Sequence, residues 1–136
     1  MIKKIHHINI KDDPIRPELD IAWRLNKGRE IYGFFDPELK AVVCVAKMID
    51  VPKDIYDLRE SVGAGRIMVA YTLWSYEKGA GSKLICALKN EAMNQFMQRL
   101  VTLSPLTDMA RNFHLKNGAV ELQTNERSRN FEYKLT

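Results

Sequence analysis

The chain has 136 residues, 46% of them hydrophobic and 28% charged, with a formal net charge of +4. That is the length and mixture of one globular domain with one core. No apolar run reaches the ~18–20 residues that span a bilayer, and the positive charge is too mild and too dispersed to mark a nucleic-acid surface, though it suits a small polyanionic ligand.

The elements follow in chain order. MIKKIHHINI has two lysines but no long apolar stretch behind them, so no signal peptide is expected. Within Ile2–Ile10 the alternation of Ile8 and Ile10 predicts an edge strand, ended by Asp12-Asp13-Pro14. Pro17–Lys27 places Leu19, Ala22, Trp23 and Leu25 near one helical face, with Gly28 as its stop. Glu30–Phe35 and Lys40–Met48, separated by Asp36-Pro37, predict an antiparallel hairpin. Pro52–Ser61 reads as a polar helix. Ile67–Trp74 is apolar on both faces and predicts a central strand. Ser82–Met97 carries Leu84, Ile85, Leu88, Ala92 and Phe96 at helical spacing, and Leu100–Leu103 follows almost directly. This is a strand–helix–strand unit with a parallel pair. Leu106–Lys116 is a second helix with Leu106, Met109, Ala110 and Phe113 as its apolar stripe. Ala119–Gln123 and Asn130–Leu135 close the chain as a hairpin across Thr124-Asn125-Glu126. The expected fold is α/β: one domain over 1–136, with a mixed central sheet of about six to seven strands and helices on both faces.

Cys44 and Cys86 fall inside predicted strand and helix, where they read as small buried hydrophobes of a reducing compartment, so a cytoplasmic location is expected. His6 and His7 have no Cys, Asp or Glu at ligand spacing, and no metal site is expected. Trp23, Trp74 and the tyrosines have no basic stretch interleaved with them, which speaks against a nucleic-acid partner.

The segment Tyr76-Glu77-Lys78-Gly79-Ala80-Gly81-Ser82 joins the central strand to the following helix. Gly79 and Gly81 permit close backbone approach, so that successive N–H groups can face one anion. The helix N-terminus adds free donors and its dipole, and Lys78 and Lys83 add charge. A pyrophosphate fits such a loop. The order Gly81-Ser82-Lys83 is not that of a P-loop, and Leu84 stands where a dinucleotide fingerprint needs a third small residue. The same loop also reads as a tight turn that binds nothing.

Ser104 before Pro105 reads as a helix N-cap with proline at the first helical position. His114 lies at the border of the buried stripe of its helix, where imidazole can serve as a proton donor or simply pack.

The order of elements and these motifs resemble the GNAT superfamily of acyl-CoA-dependent N-acetyltransferases over most of the chain. The family's loop pattern is Arg/Gln-x-x-Gly-x-Gly/Ala; Gly79 and Gly81 match, and Tyr76 replaces the Arg or Gln. Its later helix usually reads Ala-x-x-Phe-Tyr followed by Gly-Phe. Ala110, Phe113 and Gly118 match, and His114 stands where the Tyr should be. That Tyr commonly protonates the departing CoA thiolate. Thr102-Leu103-Ser104-Pro105, Ala110-Arg111-x-Phe113-His114-Leu115-x-Asn117-Gly118-Ala119 and YGFFDPELKAVVCVAKMIDVP are also similar to the GNAT-like catalytic domain of malonyl-CoA decarboxylases. In those enzymes the Ser and His of these motifs serve the chemistry. The resemblance covers neither the helical domain that precedes that catalytic domain nor the long segment between its two motifs.

The resemblance implies an acyl-CoA cosubstrate, acetyl-CoA or another thioester. The splayed strands Ile67–Trp74 and Leu100–Leu103 would hold pantetheine and the backbone N–H groups from Lys78 to Ser82 the pyrophosphate, so that the implied CoA-binding residues are Leu73, Trp74, Ser75, Lys78, Gly79, Ala80, Gly81, Ser82 and Lys83. Ser104 would bond the acyl carbonyl or carboxylate, and His114 would donate a proton. The implied activity is acyl transfer to an unidentified amine. Decarboxylation of a malonyl-type thioester and a non-catalytic CoA-binding module are the alternatives. For a base, Glu30, Glu77 and a water stay open. The expected partners are the CoA thioester and the acceptor; the oligomeric state stays open between a monomer and a homodimer, for which the closing hairpin Ala119–Leu135 offers an edge, and no membrane is expected.

Overall fold

Glycine and proline punctuation divides the apolar runs, and the runs assemble into one sheet. The computed structural model describes residues 1–135. Within them lie seven strands: β1 (Ile2–Lys4), β2 (Arg29–Phe35), β3 (Leu39–Met48), β4 (Ile67–Ser75), β5 (Arg99–Thr102), β6 (Val120–Thr124) and β7 (Arg129–Tyr133). Their spatial order is β1-β2-β3-β4-β5-β7-β6, with β4 and β5 parallel and every other pair antiparallel. The helices are α1 (Ile21–Arg24), α2 (Ala80–Asn94) and α3 (Asp108–Lys116), with 3-10 turns at Ile10–Asp12 and Tyr56–Glu60.

Strand alternation gives the sheet two buried faces. Val43, Val45, Met68, Ala70, Leu100 and Phe131 pack with Leu84, Ile85, Leu88 and Ala92 of α2, and Phe113 and Leu115 of α3 join that layer. Val42, Cys44, Val69, Tyr71, Trp74 and Val101 face the other way, against Leu58 and the segment carrying Leu19, Ile21 and Trp23. The expected mixed sheet with helices on both faces is therefore present, and both hairpins and the strand–helix–strand unit form where the sequence places them.

Four local expectations are corrected. β1 is three residues long, and Ile10 lies in a 3-10 turn. The helix read over Pro17–Lys27 is only α1, because Asp20 caps it (2.8 Å to the Trp23 N–H) and Arg24, not an apolar residue, is the buried side chain. The polar helix read at Pro52–Ser61 is the 3-10 turn. Finally, α3 begins at Asp108 under a Thr107 cap, so Ser104 is not an N-cap.

The feature that shapes the site is the parting of β4 from β5. Their parallel pairing runs from Ile67↔Arg99 to Ala70↔Thr102, with one further bond from the Leu103 N–H to the Ala70 carbonyl (2.9 Å). Beyond it β4 continues to Ser75, while Ser104 turns away to exchange two 2.9 Å backbone bonds with Arg129. A cleft opens between the strands on the side where α2 and α3 begin.

Candidate active site

A pocket of about 710 Å³ fills this cleft. Its walls bring together Leu73, Trp74, Ser75, Gly79, Gly81, Ser82, Ser104 and His114 from the sequence-derived set. Lys78, Ala80 and Lys83 are not on the wall. Ala80 is buried in the α2 layer and its N–H donates to the Glu77 carbonyl (3.1 Å); Lys83 is exposed, 3.9 Å from the Asp36 carboxylate.

At one end lies the α2 N-terminus. Gly79 caps it at φ +86°, a conformation that only glycine adopts without strain. A Cβ on Gly81 would meet the Phe113 ring at 3.1 Å, so glycine is also what lets α2 start this close to α3. The amides of Gly81 and Ser82 have no acceptor among the described residues, and both residues line the pocket. Free amides at a helix start form an anion cradle.

Ser104 and His114 sit deeper, and the neighbours of each decide what it offers. Thr102 Oγ1 lies 2.7 Å from Ser104 Oγ and accepts from the Phe131 N–H (3.1 Å). Thr102 is buried, so its own hydroxyl hydrogen has to go to Ser104 Oγ. The Ser104 O–H is thereby left to donate elsewhere. His114 Nδ1 lies 2.7 Å from the Tyr133 hydroxyl, and both are buried. Among the described residues that phenol has no other hydrogen-bond partner; its hydrogen is used when it donates to Nδ1, and this tautomer carries the imidazole proton on Nε2. Phe113, Phe131 and Tyr133 surround the ring, and burial pulls its pKa down from 6.5 to about 4. At neutral pH His114 is a neutral hydrogen-bond donor, not an imidazolium acid.

Tyr133 carries no local sequence signal, since only the β5–β7 register (Leu100↔Tyr133) brings it beside the two motifs, whereas Thr102 opens the first of those motifs, two residues before Ser104. Tyr76, the departure from the loop pattern, donates to Asp12 (2.7 Å) and accepts from the Trp74 indole (3.0 Å), fastening the glycine loop to the N-terminal segment.

Neither candidate carboxylate base reaches the pocket. Glu30 is held by Lys4 (2.6 Å) and Lys47 (3.3 Å) at a separate small cavity, and Glu77 is exposed beside Lys40. Cys44 is buried, whereas Cys86 is exposed on α2, correcting the expectation that both are buried. Among the described residues no three His, Cys, Asp or Glu gather as metal ligands, and no helix is long and apolar enough to cross a membrane.

No family model matches the chain, and no curated protein matches it in sequence. Solved structures do match. Malonyl-CoA decarboxylase from Agrobacterium vitis matches with a TM-score of 0.67 at 22% identity over 83% of this chain, which spans only 35% of that protein's length. The PaiA N-acetyltransferase of Thermoplasma acidophilum, in complex with coenzyme A, matches with a TM-score of 0.67 at 12% identity, covering 98% of this chain and 99% of that one. A Bacillus subtilis acetyltransferase in complex with CoA matches with a TM-score of 0.62 at 13% identity, over 96% and 93% of the two chains. The chain has the GNAT fold. Within the GNAT fold, the parted β4 and β5 and the α2 N-terminus form one continuous cleft, and Ser104 and His114 stand inside it.

Proposed function

We propose that this chain binds an acyl-CoA in the cleft between β4 and β5 and transfers its acyl group, acetyl from acetyl-CoA, to an amine. One observation carries the reading: a single pocket joins free helix-start amides at one end to two oriented hydrogen-bond donors, Ser104 and His114, further in. The pyrophosphate would take the amides of Gly81 and Ser82, with Lys78 and Lys83 nearby. Pantetheine would run along Leu73–Ser75, the part of β4 that β5 leaves unpaired. The thioester oxygen would then meet the Ser104 O–H and the His114 Nε2–H. As the amine attacks, that oxygen becomes an oxyanion, and fixed donors in a dry site stabilise it most. The C–S bond breaks, and the proton lost by the amine nitrogen ends on the thiolate, directly or through water.

A second reading is favoured by a different observation: among the described residues no Asp or Glu lines the pocket. An amine that arrives protonated finds no carboxylate base there. Decarboxylation of a malonyl-type thioester needs none. The bond to the carboxylate breaks, its electrons form an enolate held by the same two donors, CO₂ leaves, and the carbon takes a proton from water.

Mass spectrometry separates the readings, using acetyl-CoA and malonyl-CoA each with and without a panel of amines. Free CoA that appears only with an amine establishes transfer. Acetyl-CoA formed from malonyl-CoA without an amine establishes decarboxylation. Intact thioesters throughout, with no binding by calorimetry, overturn both.

Tyr133→Phe tests the tautomer argument within either reaction. Losing the phenol lets the imidazole proton move to Nδ1. Turnover is expected to fall about ten- to a hundred-fold, the size of one charge-supporting hydrogen bond, with CoA affinity unchanged. Unchanged turnover in steady-state kinetics would remove Tyr133 from any role in orienting His114.

A further inference from the structure

The wall of the cleft draws on both faces of the sheet. α2 and α3 stand on one face, and the N-terminal segment packs on the other through Leu19, Ile21 and Trp23. Pro14 and Ile15 of that segment line the cleft, together with Leu103 and Pro105. With the nucleotide end of an acyl-CoA on the α2 amides, the acceptor meets the thioester from the side of Pro14 and Ile15, and that side is apolar.

The wall offers an incoming nitrogen neither a counter-ion nor a base. Among the described residues its one formally charged side chain is Lys116, itself a cation, which comes from α3. His114 has both ring nitrogens committed: Nδ1 accepts from the Tyr133 hydroxyl (2.7 Å), and Nε2 carries the proton. Tyr71 is buried, and burial pushes the ionisation of its phenol up. Thr72, also on the wall, leads to a carboxylate, because its hydroxyl donates to Asp13 (2.7 Å). Asp13 is already occupied, since it also accepts from Arg24 (2.8 Å) and from the N–H groups of Ile15 (2.9 Å) and Arg16 (3.0 Å). Burial would raise its pKa, yet these bonds hold it below the ordinary 3.8, which makes it a poor base. An alkylammonium entering this cleft would lose its hydration with no anion to replace it. Its extra proton would find no acceptor on the wall. A free-base nitrogen meets neither obstacle.

We propose that the acceptor is an aromatic amine: a nitrogen uncharged at neutral pH, carried on an apolar ring that packs against Pro14, Ile15 and Leu103. The inference rests on the acyl-transfer reading of the pocket and narrows its substrate class. The proton balance closes without a base. The nitrogen lone pair attacks the thioester carbon, the C–S bond breaks, and the one N–H proton that the new amide loses ends on the thiolate. An ammonium would bring one proton more.

The experiment gives the protein acetyl-CoA with anilines and with benzylamines of matched ring substitution, and follows free-CoA release from about pH 6 to about pH 9. The two series share the ring and differ in nitrogen basicity: over this range the anilines are free bases and the benzylamines mostly ammonium. The kcat/KM of an accepted aniline should be flat with pH, and its KM at neutral pH at least about tenfold below that of the matched benzylamine. Any benzylamine turnover should climb about tenfold per pH unit, tracking its free base. A benzylamine used as well as its aniline at neutral pH, with a flat profile, overturns the proposal, because the protein then takes the ammonium and finds it a base. CoA released by benzylamines alone, or by neither series while acetyl-CoA binds in calorimetry, also overturns the aromatic acceptor, with the acyl-CoA pocket left standing. Acetyl-CoA that does not bind at all fails at the pocket itself. Malonyl-CoA turned into acetyl-CoA without any amine replaces transfer by decarboxylation. In those last two cases the underlying reading fails, and the acceptor class falls with it.

Discussion

Replacing His114 by alanine should lower turnover of the accepted acyl-CoA by about 10²–10³-fold while leaving CoA affinity within about threefold. The reason is the place of the side chain. The His114 ring hydrogen-bonds Tyr133 and not the Gly81 or Ser82 amides, so the nucleotide end of the ligand is expected not to sense its loss. The thioester oxygen loses one of two fixed donors at the moment it acquires charge. Because the ring packs against Phe113, Phe131 and Tyr133, the variant is also expected to lose stability, so turnover is compared per folded molecule, with melting curves alongside. His114→Gln, which keeps an N–H donor and most of the volume, should recover part of the rate. Equal turnover in wild type and His114→Ala would remove the imidazole from the chemistry.

The pH dependence follows from the same burial. The folded pKa is about 4 against an ordinary 6.5, so the neutral donor form persists through the whole neutral range. Turnover should show no acid limb from His114 until pH approaches 4. A limb centred near 6.5 would mean that the ring is solvated and not held as described. The sign for stability is the same: the unfolded chain takes up the proton first. Stability is therefore full above about 6.5 and declines as pH falls toward 4.

What the sequence could and could not convey differs by element. The hairpin β2–β3 and the unit β4–α2–β5 were legible because their runs are long, β-branched or periodic, and bounded by Asp36-Pro37, Gly79 and Gly81. The glycine loop and the two motifs around Ser104 and His114 were legible as well, since each is local. The first helix was not. Its buried face is made by Arg24, whose guanidinium meets Asp13, and a polar pair buried together gives no hydrophobic periodicity. The stripe of α3 misled for a related reason. Met109 and Ala110 face the pocket, and Met109 is 83% exposed, so apolar positions that line a ligand cleft looked like core. Glu30 was a reasonable base by type and position in a strand, but its carboxylate belongs to Lys4 and Lys47. Tyr133 was invisible because its place beside His114 depends on the β5–β7 register.

The buried pair beneath the site carries the second large effect. Asp13 and Arg24 are both fully buried, 2.8 Å apart, and Arg24 also donates to the carbonyls of Leu19 (2.9 Å) and Arg16 (2.7 Å). Asp13→Ala strands a buried guanidinium and removes the acceptor of Thr72, Ile15 and Arg16. The expected loss is about 3–5 kcal/mol, a large share of the 5–15 kcal/mol typical of a domain, read as a lowered urea midpoint. The double variant Asp13→Leu with Arg24→Met removes both charges together and should recover part of that loss. Recovery stays incomplete, because the Thr72 hydroxyl and two N–H groups still lack their acceptor. Acid titration supplies an independent check. Burial alone would raise the Asp13 pKa, but the N–H groups of Arg16 and Ile15, the Thr72 hydroxyl and Arg24 together hold it below its ordinary 3.8. Its contribution is therefore complete above about pH 3.8 and is lost as pH falls through the lower folded value. Wild type should lose this increment on acidification, and Asp13→Ala should not. A variant within about 1 kcal/mol of wild type would show that the pair does not hold this segment. In that case the Pro14–Ile15 wall of the cleft would have to be positioned by the bonds of neighbouring Arg16 to the Tyr71 and Leu103 carbonyls alone.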